Sequence, residues 1–462
     1  MATLGLDRAS LGNLLTTLTA RGRSLLGLSN GARAMSQAEL IGLGETLLSR
    51  RGEATGVALA NTLLAGYSAA SEADQLAFLN ALADLFGPDM DELNAALATV
   101  RDKGTSPDAV SKLLKAAEPR RQELIRRLNL APGGTASLVR MREALLTHIK
   151  DHPALKHVDS DFVHLFASWF NRGFLVLQRI DWTTPANILE KIIRYEQVHA
   201  ISNWDDLRSR LAPSDRRCYG FFHPQLVDEP LIFVEVALTN AIAPAIQPIL
   251  ADGREPVLAR AATTAIFYSI SNCQKGLAGV TFGNFLIKQV VEDLAREIPS
   301  LKTFVTLSPV PGFRTWLDRE RGADAPQGLT REDVETLRLL DTDDWRGDKA
   351  KCEAVRRAML PAAAAYFLRA KNEKGRPLDP VARFHLGNGA RLERMNFLGD
   401  TSKKGMKQSY GLMVNYLYDL SAIEKNHETY VNLGTVATSS AVSRELRSNL
   451  PPPRAVVLAE AG

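Results

Sequence analysis

The sequence predicts an α+β protein, in which an all-helical N-terminal bundle (residues 1–180) precedes a mixed α/β domain (residues 181–462). Up to about residue 180, leucines recur at helical spacing with short interruptions. Beyond that point, short runs of β-branched and aromatic residues alternate with a helical stretch, which is typical of mixed sheet and helix. The length of 462 residues also exceeds what one hydrophobic core usually supports, so two or three domains are expected.

The first helix is predicted from a capping box. Ser36 and Glu39 have the spacing at which each side chain binds the backbone N–H of the other, so a helix should begin near Ala38. Apolar residues then recur on one face, at Leu40, Leu43 and Leu47.

Two further helices have similar signals. Ser71 should cap a helix whose buried side carries Leu76, Leu79 and Leu82, and Gly87-Pro88 should end it. Another segment repeats apolar residues at Leu138, Met141, Leu145 and Ile149. Such stripes can form a domain core or a partner-binding face, and we interpret them mainly as core with oligomer contacts at the edge.

Composition argues against several classes of protein. Apolar residues make up 45% and charged residues 23% of the chain, as in an ordinary globular protein. No apolar run approaches the roughly 18–20 residues that span a bilayer, so no membrane association is expected. Lys and Arg (56) only slightly exceed Asp and Glu (52), without the concentrated patch of a nucleic-acid binder.

Several residue patterns bear on location and metals. Cys218, Cys273 and Cys352 form neither a CxxC pair nor an even disulfide framework, which fits a reducing compartment. The first thirty residues lack the continuous apolar core and cleavage site of a signal peptide, so we interpret them as part of the mature protein. The last three residues are not the peroxisomal signal Ser-Lys-Leu. We therefore expect a cytoplasmic protein. His148 and His152 have the spacing of a helical metal pair, but they complete no zinc pattern and no metal is expected.

The second half contains three predicted strands. They are Leu231–Leu238, Thr263–Ser271 and Lys302–Leu307, and a helix-period stretch covers Phe285–Ile298. The segment Asp252–Pro256 between the first two strands is predicted to be a surface turn.

A glycine-containing loop, Gln274–Gly283, joins the second strand to that helix. This order creates an anion site, because N–H groups at a helix start have no internal partners and glycines allow close approach of the backbone. The pattern is neither a Walker loop nor GxGxxG. It is similar to the Gln-x-x-Gly-x-Gly loop with which the GNAT acetyltransferase superfamily binds the pyrophosphate and pantetheine of coenzyme A, although Gly276 and Gly279 are offset from that register.

Two downstream segments carry a more specific resemblance. Residues 306–313 (TLSPVPGF) and 379–390 (DPVARFHLGNGA) resemble the signatures of malonyl-CoA decarboxylases. Other segments match that family in the right order: residues 169–175, Arg216–Tyr219, Tyr268–Ser271 with the following loop, and Gly411–Tyr418. The resemblance covers residues 165–420 densely, and the preceding residues match only in being helical.

The resemblance implies a GNAT-like catalytic domain that converts malonyl-CoA to acetyl-CoA and CO2 in malonate or fatty acid metabolism. It places the catalytic serine at Ser308, the catalytic histidine at His385 and a supporting tyrosine at Tyr418. The implied coenzyme A loop consists of Ala278, Gly279, Val280, Thr281, Phe282, Gly283 and Asn284, where Thr281 replaces an acidic residue of some relatives. It also implies a homo-oligomer, dimer or tetramer, formed through the helical domain.

The residue types suit this chemistry. Loss of CO2 leaves an enolate, which backbone N–H donors stabilise by about 3–4 kcal/mol each and which then needs a proton. His385 is the natural proton donor near neutrality, while Ser308 can orient the carboxylate or relay the proton. No metal or organic cofactor is required. A coenzyme A-dependent acyltransferase and a non-catalytic acyl-CoA-binding sensor remain as alternatives.

Overall fold

The computed structural model describes residues 33–49, 52–280, 286–326, 328–342 and 344–447. These residues form two compact units. One comprises the described residues up to Val176 together with 222–229 and 274–280, and the other comprises the remainder. The glycine-containing loop after the second predicted strand thus begins within the mainly helical unit. The oligomerisation role of residues 1–180 stays a prediction.

The helical part of the chain consists of short helices joined by tight connections. Their bounds are α1 (Gln37–Ser49), α2 (Glu53–Ala69), α3 (Glu72–Asp84), α4 (Met90–Lys103), α5 (Pro107–Ala117), α6 (Arg120–Asn129), α7 (Gly134–His148) and α8 (Leu155–Trp169).

The helix starts predicted from capping residues are confirmed. The Ser36 N–H donates to Glu39 Oε2 at 3.0 Å and the Glu39 N–H donates to Ser36 Oγ at 3.5 Å, so α1 begins at Gln37, one residue before the predicted start. Ser71 caps α3 by accepting from the Asp74 N–H. The buried residues include Leu40, Leu47, Leu79, Leu82, Leu138, Met141 and Leu145, whereas Leu43, Leu76 and Ile149 are half-buried.

The rest of the chain mixes strands and helices. Its strands are β1 (Val176–Ile180), β2 (Arg216–Phe222), β3 (Pro230–Thr239), β4 (Thr264–Asn272), β5 (Thr303–Thr306), β6 (Ser308–Pro309), β7 (Arg391–Asn396) and β8 (Met413–Leu417). Its helices are α9 (Ala186–Tyr195), α10 (Trp204–Leu211), α11 (Gln247–Leu250), α12 (Leu286–Glu297), α13 (Phe313–Arg321), α14 (Arg331–Leu337), α15 (Lys349–Leu368), α16 (Pro380–Gly387), α17 (Lys403–Ser409), α18 (Ile423–Leu433) and α19 (Ser440–Glu445). Short 3-10 turns occupy Arg172–Phe174, Ala259–Ala261, Lys275–Leu277, Arg338–Asp341 and Asp344–Arg346.

The strands form one mixed sheet in the order β1-β2-β3-β4-β5-β8-β6, with β7 also paired to β8. The three strands predicted from sequence are confirmed as β3, β4 and β5, and α12 coincides with the predicted helix. An all-helical region followed by a mixed sheet and helix region confirms the predicted α+β class. Strands β1, β2, β6 and β7 were not predicted. Strand β6 has only two residues, and β1, β2 and β7 each contain arginine, which interrupts an apolar run.

The parallel pair β4 and β5 opens part-way along its length. The ladder runs from Thr264 opposite Thr303 to Phe267 opposite Thr306, whereas β4 continues to Asn272. The chain after β5 turns to pair β6 with β8, at Ser308 opposite Val414. The sequence-predicted serine therefore lies where the two parallel strands separate.

Three other expectations concern absences or exposure. Among the described residues, no helix is both long and apolar enough to cross a membrane, and no cluster of possible metal ligands occurs. Cys218, Cys273 and Cys352 are free thiols, the first two of them buried. The predicted turn at residues 252–256 is confirmed, with Gly253 at φ +68°.

Candidate active site

Ser308 is placed by the end of strand β5. The Leu307 N–H still donates to the Phe267 carbonyl at 2.9 Å, which extends the β4/β5 ladder to the residue before Ser308. Because side chains alternate along extended backbone, Thr306 and Ser308 point to the same face. Their hydroxyls meet there, and Ser308 Oγ donates to Thr306 Oγ1 at 2.8 Å.

His385 is placed by the last turn of α16. Asp379 caps this helix by accepting from the Ala382 N–H at 2.7 Å, and Pro380 occupies the first turn, where its missing N–H costs nothing. Asp379 is fully buried, and this burial raises its pKa to about 6. The helix ends two residues after His385, and the Ala390 N–H donates back to the His385 carbonyl at 3.1 Å.

Strand β8 supplies two tyrosines to the same imidazole. The ring of Tyr416 stacks on that of His385, with centroids 4.6 Å apart and planes inclined by 24°. Tyr418, just beyond the strand, places its Oη 2.8 Å from His385 Nδ1. The two tyrosines are two residues apart, so they share one face of the extended chain.

The structure brings together the three predicted catalytic residues. Ser308 Oγ lies 3.1 Å from His385 Nε2, the nitrogen opposite the one that contacts Tyr418. The exposed fractions are 5% for Ser308, 2% for His385 and 1% for Tyr418. All three residues are thus buried, and Ser308 is the most exposed of them.

Burial sets the protonation of this group. Desolvation lowers the pKa of His385 from its ordinary value of 6.5 to about 3. The ring is therefore neutral at physiological pH, which differs from the expectation, based on the ordinary pKa, that it titrates near neutrality. Desolvation also raises the pKa of the Tyr418 phenol, which therefore stays protonated. The group of Ser308, His385 and Tyr418 therefore carries no net charge in the resting state.

Sequence reasoning missed the residues that support this group. Thr306 is fully buried, and its Oγ1 accepts from the Tyr416 N–H at 3.1 Å. The Asn415 side chain donates to the Thr306 carbonyl at 2.7 Å and accepts from Asn396 Nδ2 at 2.8 Å. The spacing Thr-x-Ser at residues 306–308 could have identified Thr306, because residues two apart on a strand share a face. No pattern in the neighbouring sequence indicated a role for Asn415.

The predicted coenzyme A loop is described in part. Ala278 and Gly279 are exposed, Val280 is buried, and Thr281, Phe282, Gly283 and Asn284 lie outside the described residues. Gly279 adopts φ +75°, a left-handed conformation that favours glycine.

The start of the loop is tied to helix α7. Arg142 is 2% exposed, is ion-paired with Asp159 at 2.7 Å, and donates to the Gly276 carbonyl at 2.7 Å. A buried guanidinium with both partners in place holds the backbone of the loop at a defined position.

Two family models match this chain. That of the malonyl-CoA decarboxylase C-terminal domain matches residues 173–455, and that of the malonyl-CoA decarboxylase N-terminal domain matches residues 86–170. The first match includes Ser308, His385 and Tyr418.

Known proteins that are similar to this chain are also named malonyl-CoA decarboxylases. The chain is 36% identical over 368 residues to the mitochondrial malonyl-CoA decarboxylase of Anser anser anser, covering 74% of this chain and 72% of that protein. It is 34% identical over 408 residues to that of Mus musculus, covering 81% and 82%. The crystal structure of malonyl-CoA decarboxylase from Rhodopseudomonas palustris has a TM-score of 0.86 and 66% identity, covering 89% of this chain and 100% of that one. The Agrobacterium vitis structure has a TM-score of 0.85 and 57% identity, with the same coverage.

Proposed function

The chain belongs to the malonyl-CoA decarboxylase family, and from this premise we propose that Ser308, His385 and Tyr418 carry out the decarboxylation. The enzyme is a carboxy-lyase that converts malonyl-CoA to acetyl-CoA and CO2. The observation that carries the proposal for the site is the contact of Ser308 with His385 at 3.1 Å, in a buried setting at the end of β5.

The reaction needs one proton for each turnover. The bond between C2 of the malonyl group and its carboxyl carbon breaks, CO2 leaves, and the electron pair passes into the thioester as an enolate. Backbone N–H donors near the strand ends stabilise the enolate oxygen. The Ser308/His385 pair then delivers a proton to C2 and takes one back from solvent before the next turnover, so that the carboxylate substrate and one proton give acetyl-CoA and CO2.

The neutrality of the pair favours loss of CO2. A carboxylate that leaves water for a site without a paired cation is poorly stabilised, whereas the enolate spreads its charge over the thioester. His385 is uncharged because burial lowers its pKa to about 3, so it does not hold the carboxylate as an ion pair. Ser308, the most exposed of the three, is the residue that we place next to the departing group.

Residues 278–284 are proposed to bind the phosphates and pantetheine of coenzyme A. The support is the left-handed Gly279 and the anchoring of the preceding Gly276 by Arg142. Backbone N–H groups presented by such a turn suit a pyrophosphate.

We also propose how the protein assembles, where it is located and which metabolism it serves. The family resemblance supports a homo-oligomer formed through the helical region, and the free cysteines are compatible with a cytoplasmic location. The reaction would serve malonate use or the control of fatty acid precursors.

The deciding experiment incubates the purified full chain with malonyl-CoA alone and follows acetyl-CoA and CO2. Ser308→Ala and His385→Asn are each expected to lower kcat by roughly 10²–10⁴-fold, because each removes one half of the proton-delivering pair. The melting temperatures of the variants, measured alongside, should stay close to that of the wild type.

Ser300→Ala is the matched control. The Ser300 hydroxyl is buried and makes no hydrogen bond to the described residues, so its removal should leave kcat unchanged. Product that forms only after an amine is added would indicate an acyltransferase, and binding without turnover would indicate a sensor. Full activity in both Ser308→Ala and His385→Asn would show that these two residues do not catalyse the reaction.

A further inference from the structure

Thr306 is held on two sides by consecutive residues of β8. Its Oγ1 accepts from the Tyr416 N–H at 3.1 Å, and its carbonyl accepts from Asn415 Nδ2 at 2.7 Å. Thr306, Asn415 and Tyr416 are all 0% exposed. The Thr306 hydroxyl is therefore fixed in position beside Ser308.

The lone pairs of that hydroxyl are fully used. A hydroxyl oxygen offers two acceptor sites. Thr306 Oγ1 accepts from the Tyr416 N–H and from Ser308 Oγ, the latter at 2.8 Å. The Ser308 hydrogen consequently points at Thr306, and Ser308 meets His385 with a lone pair.

The direction of the Ser308 bond determines the histidine tautomer. With the Ser308 hydrogen committed to Thr306, the 3.1 Å contact requires a hydrogen on His385 Nε2. The neutral ring then has its lone pair on Nδ1, which accepts the Tyr418 O–H at 2.8 Å. All the hydrogen bonds from Tyr418 through His385 and Ser308 to Thr306 point the same way.

We propose that Thr306 is a positioning residue that keeps His385 in the Nε2–H form and so makes the Ser308/His385 pair a proton donor; this inference rests on the proposed function. In the opposite tautomer, Nε2 would accept the Ser308 hydrogen and act as a base, the arrangement that activates a nucleophilic serine. A decarboxylase must instead supply a proton to C2. By accepting the Ser308 hydrogen, the Thr306 hydroxyl thus makes the Ser308/His385 pair act as an acid rather than as a base.

The experiment reads the tautomer directly, with or without turnover. Long-range proton–nitrogen NMR correlations on full-length protein with ¹⁵N-labelled histidine distinguish the Nε2–H, Nδ1–H and doubly protonated rings. The signals of His385 are assigned by their loss in His385→Gln. Wild type and Thr306→Ser are expected to show the Nε2–H form, because both retain the acceptor hydroxyl. Thr306→Val should show the Nδ1–H form in part or completely.

Kinetics on the same variants test the catalytic consequence. Thr306→Val is expected to lower kcat for malonyl-CoA by about 10–100-fold with little change in KM, since the pair is misdirected while substrate contacts remain. Thr306→Ser should stay close to wild type. Thr264→Val is the matched control, because it removes the hydroxyl of a threonine on β4 that is 3% exposed, and should change neither tautomer nor kcat.

The possible results are separable. An Nδ1–H ring in the wild type would overturn the inference, even if Thr306→Val fails to fold. So would a folded Thr306→Val protein with unchanged kcat. If wild type shows no turnover of malonyl-CoA but the tautomer changes as expected, the proposed function fails while the positioning role of Thr306 stands.

Discussion

Tyr416 and Tyr418 touch the same imidazole through different parts of their side chains. Tyr418 uses its hydroxyl, at 2.8 Å from His385 Nδ1, whereas Tyr416 uses its ring, stacked at 4.6 Å. The Tyr416 hydroxyl is buried and makes no hydrogen bond to any described residue. The hydroxyl should therefore matter for the chemistry at Tyr418 only.

Removing each hydroxyl tests this distinction. Tyr418→Phe is expected to lower kcat by about 10–100-fold, because His385 Nδ1 is left buried without a partner, at a cost of about 1–3 kcal/mol. Tyr416→Phe keeps the stacked ring and should retain a kcat near that of wild type. Steady-state kinetics with malonyl-CoA compare the two, and similar losses in both variants would refute the assigned role of Tyr418.

Sequence reasoning reached Ser308 and His385 through the motifs around them. The alternating tyrosines at 416 and 418 are also typical of an ordinary sheet face, so this pattern alone does not distinguish Tyr418 as a site residue. It did not identify Thr306, although this residue lies in the same motif, because a strand threonine has no chemical signature until its neighbours are known.

At the scale of elements, the connection between β4 and α12 depends on one close approach. A Cβ added at Gly276 would lie 2.0 Å from the Val139 carbonyl oxygen on α7. Arg142, three residues further along α7, donates to the Gly276 carbonyl. The loop therefore packs against α7 through its backbone, which only glycine permits.

Gly276→Ala is expected to destabilise the helical unit by about 1–3 kcal/mol or more, because backbone atoms cannot yield as a flexible side chain would. Because the loop is proposed to bind coenzyme A, KM for malonyl-CoA should also rise. Thermal unfolding followed by circular dichroism gives the first quantity and steady-state kinetics the second.

Gly56→Ala serves as the control. Gly56 lies within α2, and a Cβ there would meet no atom within 4 Å. This substitution should stabilise the protein by about 0.5–1 kcal/mol, because alanine loses less conformational freedom in a helix. A wild-type melting temperature for Gly276→Ala would contradict the close approach.

On the scale of the whole molecule, the sheet buries a carboxyl group remote in sequence from the motifs. Glu235 on β3 is 0% exposed, its Oε2 accepts from Arg210 at 3.3 Å, and its Oε1 has no hydrogen bond to the described residues. Burial first, and then the nearby Glu196, raise the pKa of Glu235 to about 8, although Arg210 opposes the shift.

This shift predicts how stability depends on pH. Between its ordinary pKa of 4.5 and about 8, Glu235 is protonated in the folded protein but ionised in the unfolded chain. Its contribution to stability is thus complete below the lower value and is lost as pH rises through the upper one. The loss reaches about 1.4 kcal/mol per pH unit at most.

Glu235→Gln should remove that dependence. Free energies of unfolding from urea titrations across this pH range should fall less steeply with pH for the variant than for wild type. Glu335→Gln, which replaces an exposed glutamate, should keep the wild-type slope. An unchanged slope in Glu235→Gln would show that the carboxyl is ionised in the folded state.

The sequence by itself determined the order of helical and mixed regions, the strands β3 to β5, the caps of α1 and α3, and the motifs that contain Ser308 and His385. These follow from side-chain periodicity and local backbone preference, which act within a few residues. Only the tertiary structure decided that Ser308 meets His385 across 77 residues and that His385 meets Tyr418 across 33. Such contacts arise when β8 pairs beside β5 and β6, a long-range arrangement that no local pattern encodes. The same packing removes water from the imidazole and leaves it neutral.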